Sequence, residues 1–139
     1  MLKFIKQFTD KELGDVVQIA NRYYLSKGLE YSETPRHIGI FLGENIENEF
    51  HPSIELIEIL SKMSNKKVFI NDKSEWIFLN GKDILGKAIT KANVSNGLVF
   101  VQNKNDENLG YGKFILDIKR KDEIVVKNIL DRGHYLRCE

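Results

Sequence analysis

Glycines close off short apolar runs all through the second half of this 139-residue chain, and that punctuation restricts it to short strands joined by tight corners. Gly97-Leu98-Val99-Phe100-Val101 is apolar and β-branched, as a buried strand is. Leu109-Gly110-Tyr111-Gly112-Lys113 reads as a Gly-x-Gly turn entering a new strand, with an aromatic between the glycines and a lysine after them. Phe78-Leu79-Asn80-Gly81-Lys82-Asp83-Ile84-Leu85 lies upstream; Ile124-Val125-Val126 and Gly133-His134-Tyr135-Leu136-Arg137 lie downstream. Short strands, glycine corners and scattered lysines predict a small β-barrel-like domain with a basic face.

Composition narrows the class. With 42% hydrophobic and 29% charged residues the chain is expected to be globular. The formal net charge is only +1, but it is unevenly spread. Residues through Asn65 hold 7 Lys+Arg and 10 Asp+Glu, net −3; from Lys66 onward there are 14 and 10, net +4. A mildly acidic half joined to a basic half fits a chain with two jobs. The lone Cys138 excludes an internal disulfide and a cysteine-based zinc cage. No run approaches the roughly 18 apolar residues that a membrane span needs. Met1-Leu2-Lys3-Phe4-Ile5-Lys6 lacks the apolar core and small-residue cleavage site of a signal peptide, so a cytoplasmic location is expected (nuclear or nucleolar in a eukaryote).

Periodicity places the elements. Thr9 and Glu12 have capping-box spacing, and Leu13, Val16, Val17, Ala20 and Tyr24 then recur at helical intervals up to a stop at Gly28. Ile38-Gly39-Ile40-Phe41-Leu42 reads as a strand and Gly43 to Glu49 as an acidic turn. Pro52 opens a second helix through Ile54, Leu56, Ile57, Ile59, Leu60 and Met63, with His51 at its N-terminus. Ser64-Asn65-Lys66-Lys67 marks a boundary between residues 1–65 and 66–139. Beyond it, Val68-Phe69-Ile70 is a strand, Asn71-Asp72-Lys73 a turn, and Trp76-Ile77-Phe78-Leu79 a strand ending in the Asn80-Gly81 turn. A short helix from Asp83 to Lys91 would align Lys82, Lys87 and Lys91 on one face. Asn103 to Asn108 forms a hairpin loop, Lys113 to Ile118 a strand, and Lys119-Arg120-Lys121 a basic turn before the Val125 strand.

Little in the chain resembles catalytic machinery. His37, His51 and His134 lack metal-ligand spacing. Gly110 and Gly112 lack the longer glycine pattern and following helix of a phosphate loop. Glu55 and Glu58 lie three apart without an evident pocket. Neither an enzyme, a cofactor nor a metal is expected.

Taken in order, these segments resemble ribosome biogenesis factors of the Nip-seven type, in which a pre-PUA domain precedes a C-terminal PUA domain. The matching stretches are Phe8 to Glu12, Gly39 to Gly43, His51 to Leu60, Val68-Phe69-Ile70, Phe78 to Leu85, Gly97 to Val101, Leu109 to Gly112, and Ile124 to Val126 with Asp131 to Arg137. Where the family carries an additional strand and helix after its first helix, this chain has only Leu29 to His37. The resemblance implies an α+β fold: a small, shortened α/β N-terminal domain (1–65) packed on a C-terminal PUA-type mixed β-barrel (66–139). It also implies a non-catalytic role in large-subunit maturation, with precursor ribosomal RNA and other biogenesis proteins as partners, no membrane, and a monomeric state.

RNA is held chiefly through its phosphates, which calls for cations on one surface. Lys82, Lys87 and Lys113 are placed around the Gly110–Gly112 corner, where the glycines would let RNA approach the backbone. Lys119, Arg120, Lys121, Arg132 and Arg137 form a second basic group, and Tyr111 is a candidate for base stacking. Each has a plainer reading: a structural Gly-Tyr-Gly corner with a packed tyrosine, and a solvated basic turn. Trp76 is expected in the core or at a contact between the domains, with base stacking as the lesser reading. Two other roles stay open, an RNA-holding accessory of a separate RNA-modifying enzyme and a protein-interaction adaptor that binds no RNA.

Overall fold

The computed structural model describes residues 1–26 and 39–134. The elements are α1 (Leu2–Lys6), β1 (Val16–Ile19), β2 (Arg22–Leu25), β3 (Ile40–Ile46), β4 (Glu49–Pro52), α2 (Ile54–Met63), β5 (Lys67–Ile70), α3 (Asp72–Leu79), β6 (Ile84–Leu85), β7 (Ile89–Ala92), β8 (Leu98–Gln102), β9 (Asn108–Phe114) and β10 (Ile124–Asp131). A 3-10 turn at Gly86–Ala88 joins β6 to β7.

β1 to β4 form an antiparallel meander, and the remaining strands form a six-stranded sheet in the order β6-β10-β9-β8-β5-β7. All neighbours in the larger sheet are antiparallel except β5 and β8. Its two end strands follow one another across the 3-10 turn, so the sheet curls into a nearly closed mixed barrel. The fold is the α+β arrangement expected.

Why Leu98 to Val101 is apolar without alternation is now plain. Val99 and Val101 enter one core with Val68, Ile70, Phe78, Leu109, Phe114, Val125 and Val126. Phe100, pointing the other way as strand geometry requires, enters a second core with Ile5, Phe8, Leu42, Leu56, Ile57, Leu60 and Tyr111. A strand buried on both faces loses its polar alternation. α2 supplies the second core with Leu56, Ile57 and Leu60, all fully buried. Ser53 caps this helix by accepting from the Leu56 amide at 3.1 Å, and its hydroxyl donates to Phe41 O at 2.7 Å.

Several expectations about local structure are corrected. The region of Leu13 to Tyr24 is a β-hairpin, not a helix: Ile19 pairs with Arg22 across a two-residue loop, Ala20-Asn21. Val16, Val17, Ile19, Tyr23 and Tyr24 are β-branched and aromatic residues that favour strands. Thr9 Oγ1 accepts from the Lys11 amide in a local turn and caps no helix. Gly43 to Ile46 continue β3, the turn shrinks to Glu47-Asn48, and His51 and Pro52 lie on β4 opposite Glu44 and Gly43.

Trp76 to Leu79 belong to helix α3. Asn71 Oδ1 accepts from Ser74 N at 2.9 Å, and Asp72 and Glu75 occupy the favourable first turn. Gly81, with φ +86°, closes the other end by donating to Phe78 O at 2.9 Å. The expected helix from Asp83 to Lys91 is instead β6, the 3-10 turn and most of β7, because Ile84, Leu85 and Ile89 are taken up by pairing with β10 and β5. Lys82, Lys87 and Lys91 therefore share no helical face. Gly110 and Gly112 lie within β9, which runs from Asn108 and ends at Phe114 rather than Ile118. The Gly28 stop, Ile38, the Leu29 to His37 stretch, Tyr135 to Arg137 and Cys138 fall outside the described residues.

Candidate nucleic-acid interface

Three lysines gather around a cavity beside α3. It measures about 660 Å³ and is walled by Lys73, Ser74 and Ile77 of α3, the Gly81-Lys82-Asp83 turn, β6, Lys87 and Ile124. Three lysines, Lys73, Lys82 and Lys87, thus surround an apolar floor of Ile77, Ile84, Leu85 and Ala88. The turn is held rigidly by Asn128: its amide donates to Asp83 Oδ1 at 2.8 Å, and its side chain donates to Phe78 O at 3.0 Å and Lys82 O at 3.3 Å. Asp83 is thereby engaged in positioning the turn.

Beside Asn128 stands Lys127, which pairs across β9–β10 with Lys113. Both are exposed. Like charges opposite one another on a sheet repel, so this pair favours an anion between or above the two ammonium groups. The basic turn reaches the same region from the other side. Lys87 N donates to Lys121 O at 2.9 Å, and a Cβ on Gly86 would lie 2.5 Å from Arg120 O, so only glycine admits the loop this close. Lys87 and Lys119-Arg120-Lys121 are therefore neighbours.

Acidic residues temper this group. Lys87 Nζ lies 3.6 Å from Asp122, and Arg120 is paired with Glu123 at 3.0 Å. Both pairs are exposed and so cheaply opened by a competing phosphate. Lys121 also faces a shallower depression on the β7 side, shared with Lys91, whose ammonium lies 5.4 Å from the centre of the Phe69 ring.

Three predicted site residues do not join the group. Tyr111 is only 5% exposed; its ring packs on Phe4 and Phe8, with centroids 5.7 and 6.4 Å away, and burial pushes its hydroxyl pKa up to about 12. It cannot stack on a base. Arg132 stands just past the end of β10, four residues beyond the Asn128 that holds the Lys82 turn, and it does not line the lysine cavity. There it pairs with Glu58 of α2 at 2.9 Å and donates to Asn108 O, a contact between elements rather than a free cation. Arg137 lies outside the described residues. Gly110 and Gly112 admit not RNA but β10: an added Cβ would lie 2.0 Å from Leu130 O and 2.4 Å from Lys127 O, respectively.

Lys73 and Lys127 were missed from sequence. The Asn71 cap followed by Asp72 and Glu75 is a helix-start signal that would have put Lys73 on the exposed side of a helix. Trp76, expected in the core, is 71% exposed.

A second, polar cavity of about 760 Å³ lies between α2, the β8–β9 hairpin and Glu75 of α3. Its wall is internally bonded: Lys67 to Asp106 at 3.1 Å, Gln102 to Asp106 at 3.0 Å, Asn103 to Glu75 at 2.8 Å, and Asn108 to Gln102 at 2.7 Å. The hydrogen bond from Gln102, reinforced by Lys67, holds the Asp106 carboxyl below its usual range. Among the described residues no cluster of His, Cys, Asp and Glu has metal-binding geometry, and no helix is long and apolar enough to cross a membrane.

The barrel with this lysine-walled cavity defines a PUA-domain protein, and comparison with known proteins specifies the family. Residues 66–139 match the model of the UPF0113 PUA domain, and the chain belongs to that family. A UPF0113 protein of Archaeoglobus fulgidus is 34% identical over 110 residues, covering 74% of this chain. The chain spans 63% of that relative's length. Among solved structures, a conserved PUA domain protein from Thermoplasma acidophilum superposes with a TM-score of 0.67 at 16% identity, covering 98% of this chain and 89% of its own. A hypothetical protein from Pyrococcus horikoshii gives 0.55 at 15% identity over 88% of this chain and 77% of its own. At these identities the likeness is one of fold.

Proposed function

We propose that this chain is a non-catalytic RNA-binding factor that acts in maturation of the large ribosomal subunit, holding precursor ribosomal RNA on the basic face of its PUA domain. The observation that carries the reading is the convergence of Lys73, Lys82 and Lys87 on one cavity, with the like-charged Lys113–Lys127 pair beside it. Three lysines on one cavity outnumber the one carboxylate that lines it, Asp83, which is itself engaged by the Asn128 amide, and such a cationic excess is suited to phosphates. The ordered resemblance to Nip-seven type factors supports the ribosomal role.

The test is RNA affinity across a salt series for wild type, Lys82→Glu/Lys87→Glu and Lys113→Glu/Lys127→Glu. Several phosphate contacts give a steep fall of affinity with salt, and each contact removed flattens the slope by about one. Weak binding, unchanged in both variants, would move the function to a protein adaptor. Stable co-purification with an RNA-modifying enzyme in place of large-subunit precursors would make it that enzyme's accessory.

A further inference from the structure

We infer that Trp76 is a base-stacking platform for an unpaired nucleotide of single-stranded RNA whose phosphates lie on the lysines of the α3 cavity; this rests on the RNA-binding reading above. Trp76 is the chain's only tryptophan and leaves 71% of its surface in water. No aromatic ring contact among the described residues involves it. A large apolar ring held out of the core gains little for folding and leaves most of its surface available.

Its mounting is rigid. Asn80 Nδ2 donates to Trp76 O at 2.8 Å, and α3 is capped at both ends. Helical spacing puts Lys73, three residues earlier, on the neighbouring surface, within about 5–6 Å between Cβ atoms. Lys73 and Ile77 wall the cavity that Lys82 and Lys87 complete. A positive groove flanked by an exposed aromatic is the combination that holds single strands without sequence preference. That charge selects a nucleic acid over an apolar protein segment as the occupant.

The experiment titrates the full chain with a short oligouridylate, an oligoadenylate and an RNA duplex. It follows both tryptophan fluorescence and the anisotropy of end-labelled RNA. The proposal expects quenching by both single strands that saturates with the anisotropy signal, and little by the duplex. Trp76→Ala should weaken single-strand binding about tenfold with the salt slope unchanged, and Trp76→Phe should recover part of the loss. RNA binding with steady fluorescence and undiminished affinity of Trp76→Ala would overturn the stacking role alone and leave the α3 face to a protein partner. Absence of RNA binding would overturn this proposal together with the reading it rests on.

Discussion

A Cβ at Gly110 would lie 2.0 Å from the carbonyl oxygen of Leu130, so β9 and β10 approach one another at a distance that no side chain permits. Gly110 also has φ +148°. Gly110→Ala should therefore cost about 3 kcal/mol or more, or yield no soluble protein, because backbone has to move and cannot rotate away. Gly97 isolates the conformational part of the effect: its φ is +76°, but an added Cβ meets nothing within 4 Å. Gly97→Ala should cost only about 1 kcal/mol. Urea midpoints of the two variants decide it; equal losses would mean that the strand contact is immaterial.

Tyr111 supplies a pH dependence. Its phenol has a pKa of about 12 in the folded protein, chiefly through burial, with Glu49 adding to the shift. The unfolded chain ionises nearer 10. Below pH 10 the neutral phenol is common to both states and the fold keeps its full stability. From pH 10 to 12 the unfolded state loses the proton more readily, and stability falls by about 2–3 kcal/mol. Tyr111→Phe should remove that alkaline step from the plot of unfolding free energy against pH.

Arg132 distinguishes architecture from RNA binding. Its ion pair with Glu58 is partly exposed, and its side chain also donates to Asn108 O. Arg132→Ala should cost about 1–2 kcal/mol of stability. Because Arg132 is already engaged by Glu58 and by Asn108 O and does not line the lysine cavity, the salt slope of RNA binding should stay at the wild-type value. A flatter slope would bring the Asn108 end of the barrel into the RNA footprint.

What could be read in advance follows from the range of the forces involved. The β8 run, the β8–β9 hairpin loop and the apolar face of α2 declare themselves through contiguous apolar residues and local turn chemistry. α3 does not: Trp76-Ile77-Phe78-Leu79 has strand-like residues, and the Asn71 cap and Gly81 stop outweigh them. The Val16 to Leu25 hairpin also escapes, since Val16, Val17, Ala20 and Tyr24 happen to fall at helical spacing while their β-branching favours pairing. At the site, Lys82, Lys87 and the 119–121 turn are visible as charges. Their meeting depends on β6 pairing with β10 and on the backbone contact at Gly86, which no local pattern encodes. Tyr111 shows the limit most sharply: flanking glycines suggest an exposed corner, whereas strand register turns the ring into the core beside Phe100.

The hairpin that replaces the expected first helix carries a residual strain that can be relieved. Ala20 occupies the first position of the two-residue loop between Ile19 and Arg22, with φ +56°. Left-handed backbone at that position is the province of glycine in tight hairpins, and alanine bears a steric cost there. Glycine also has more freedom to lose on folding, which offsets part of the gain. Strain relief outweighs it, so Ala20→Gly should raise stability by about 0.5–1 kcal/mol, read as a higher urea midpoint at constant m-value. A helix through this segment would give the opposite sign, because glycine in a helix interior costs about 1 kcal/mol relative to alanine. The direction of the shift thus reports, from a single substitution, whether Val16 to Leu25 is paired or coiled in solution.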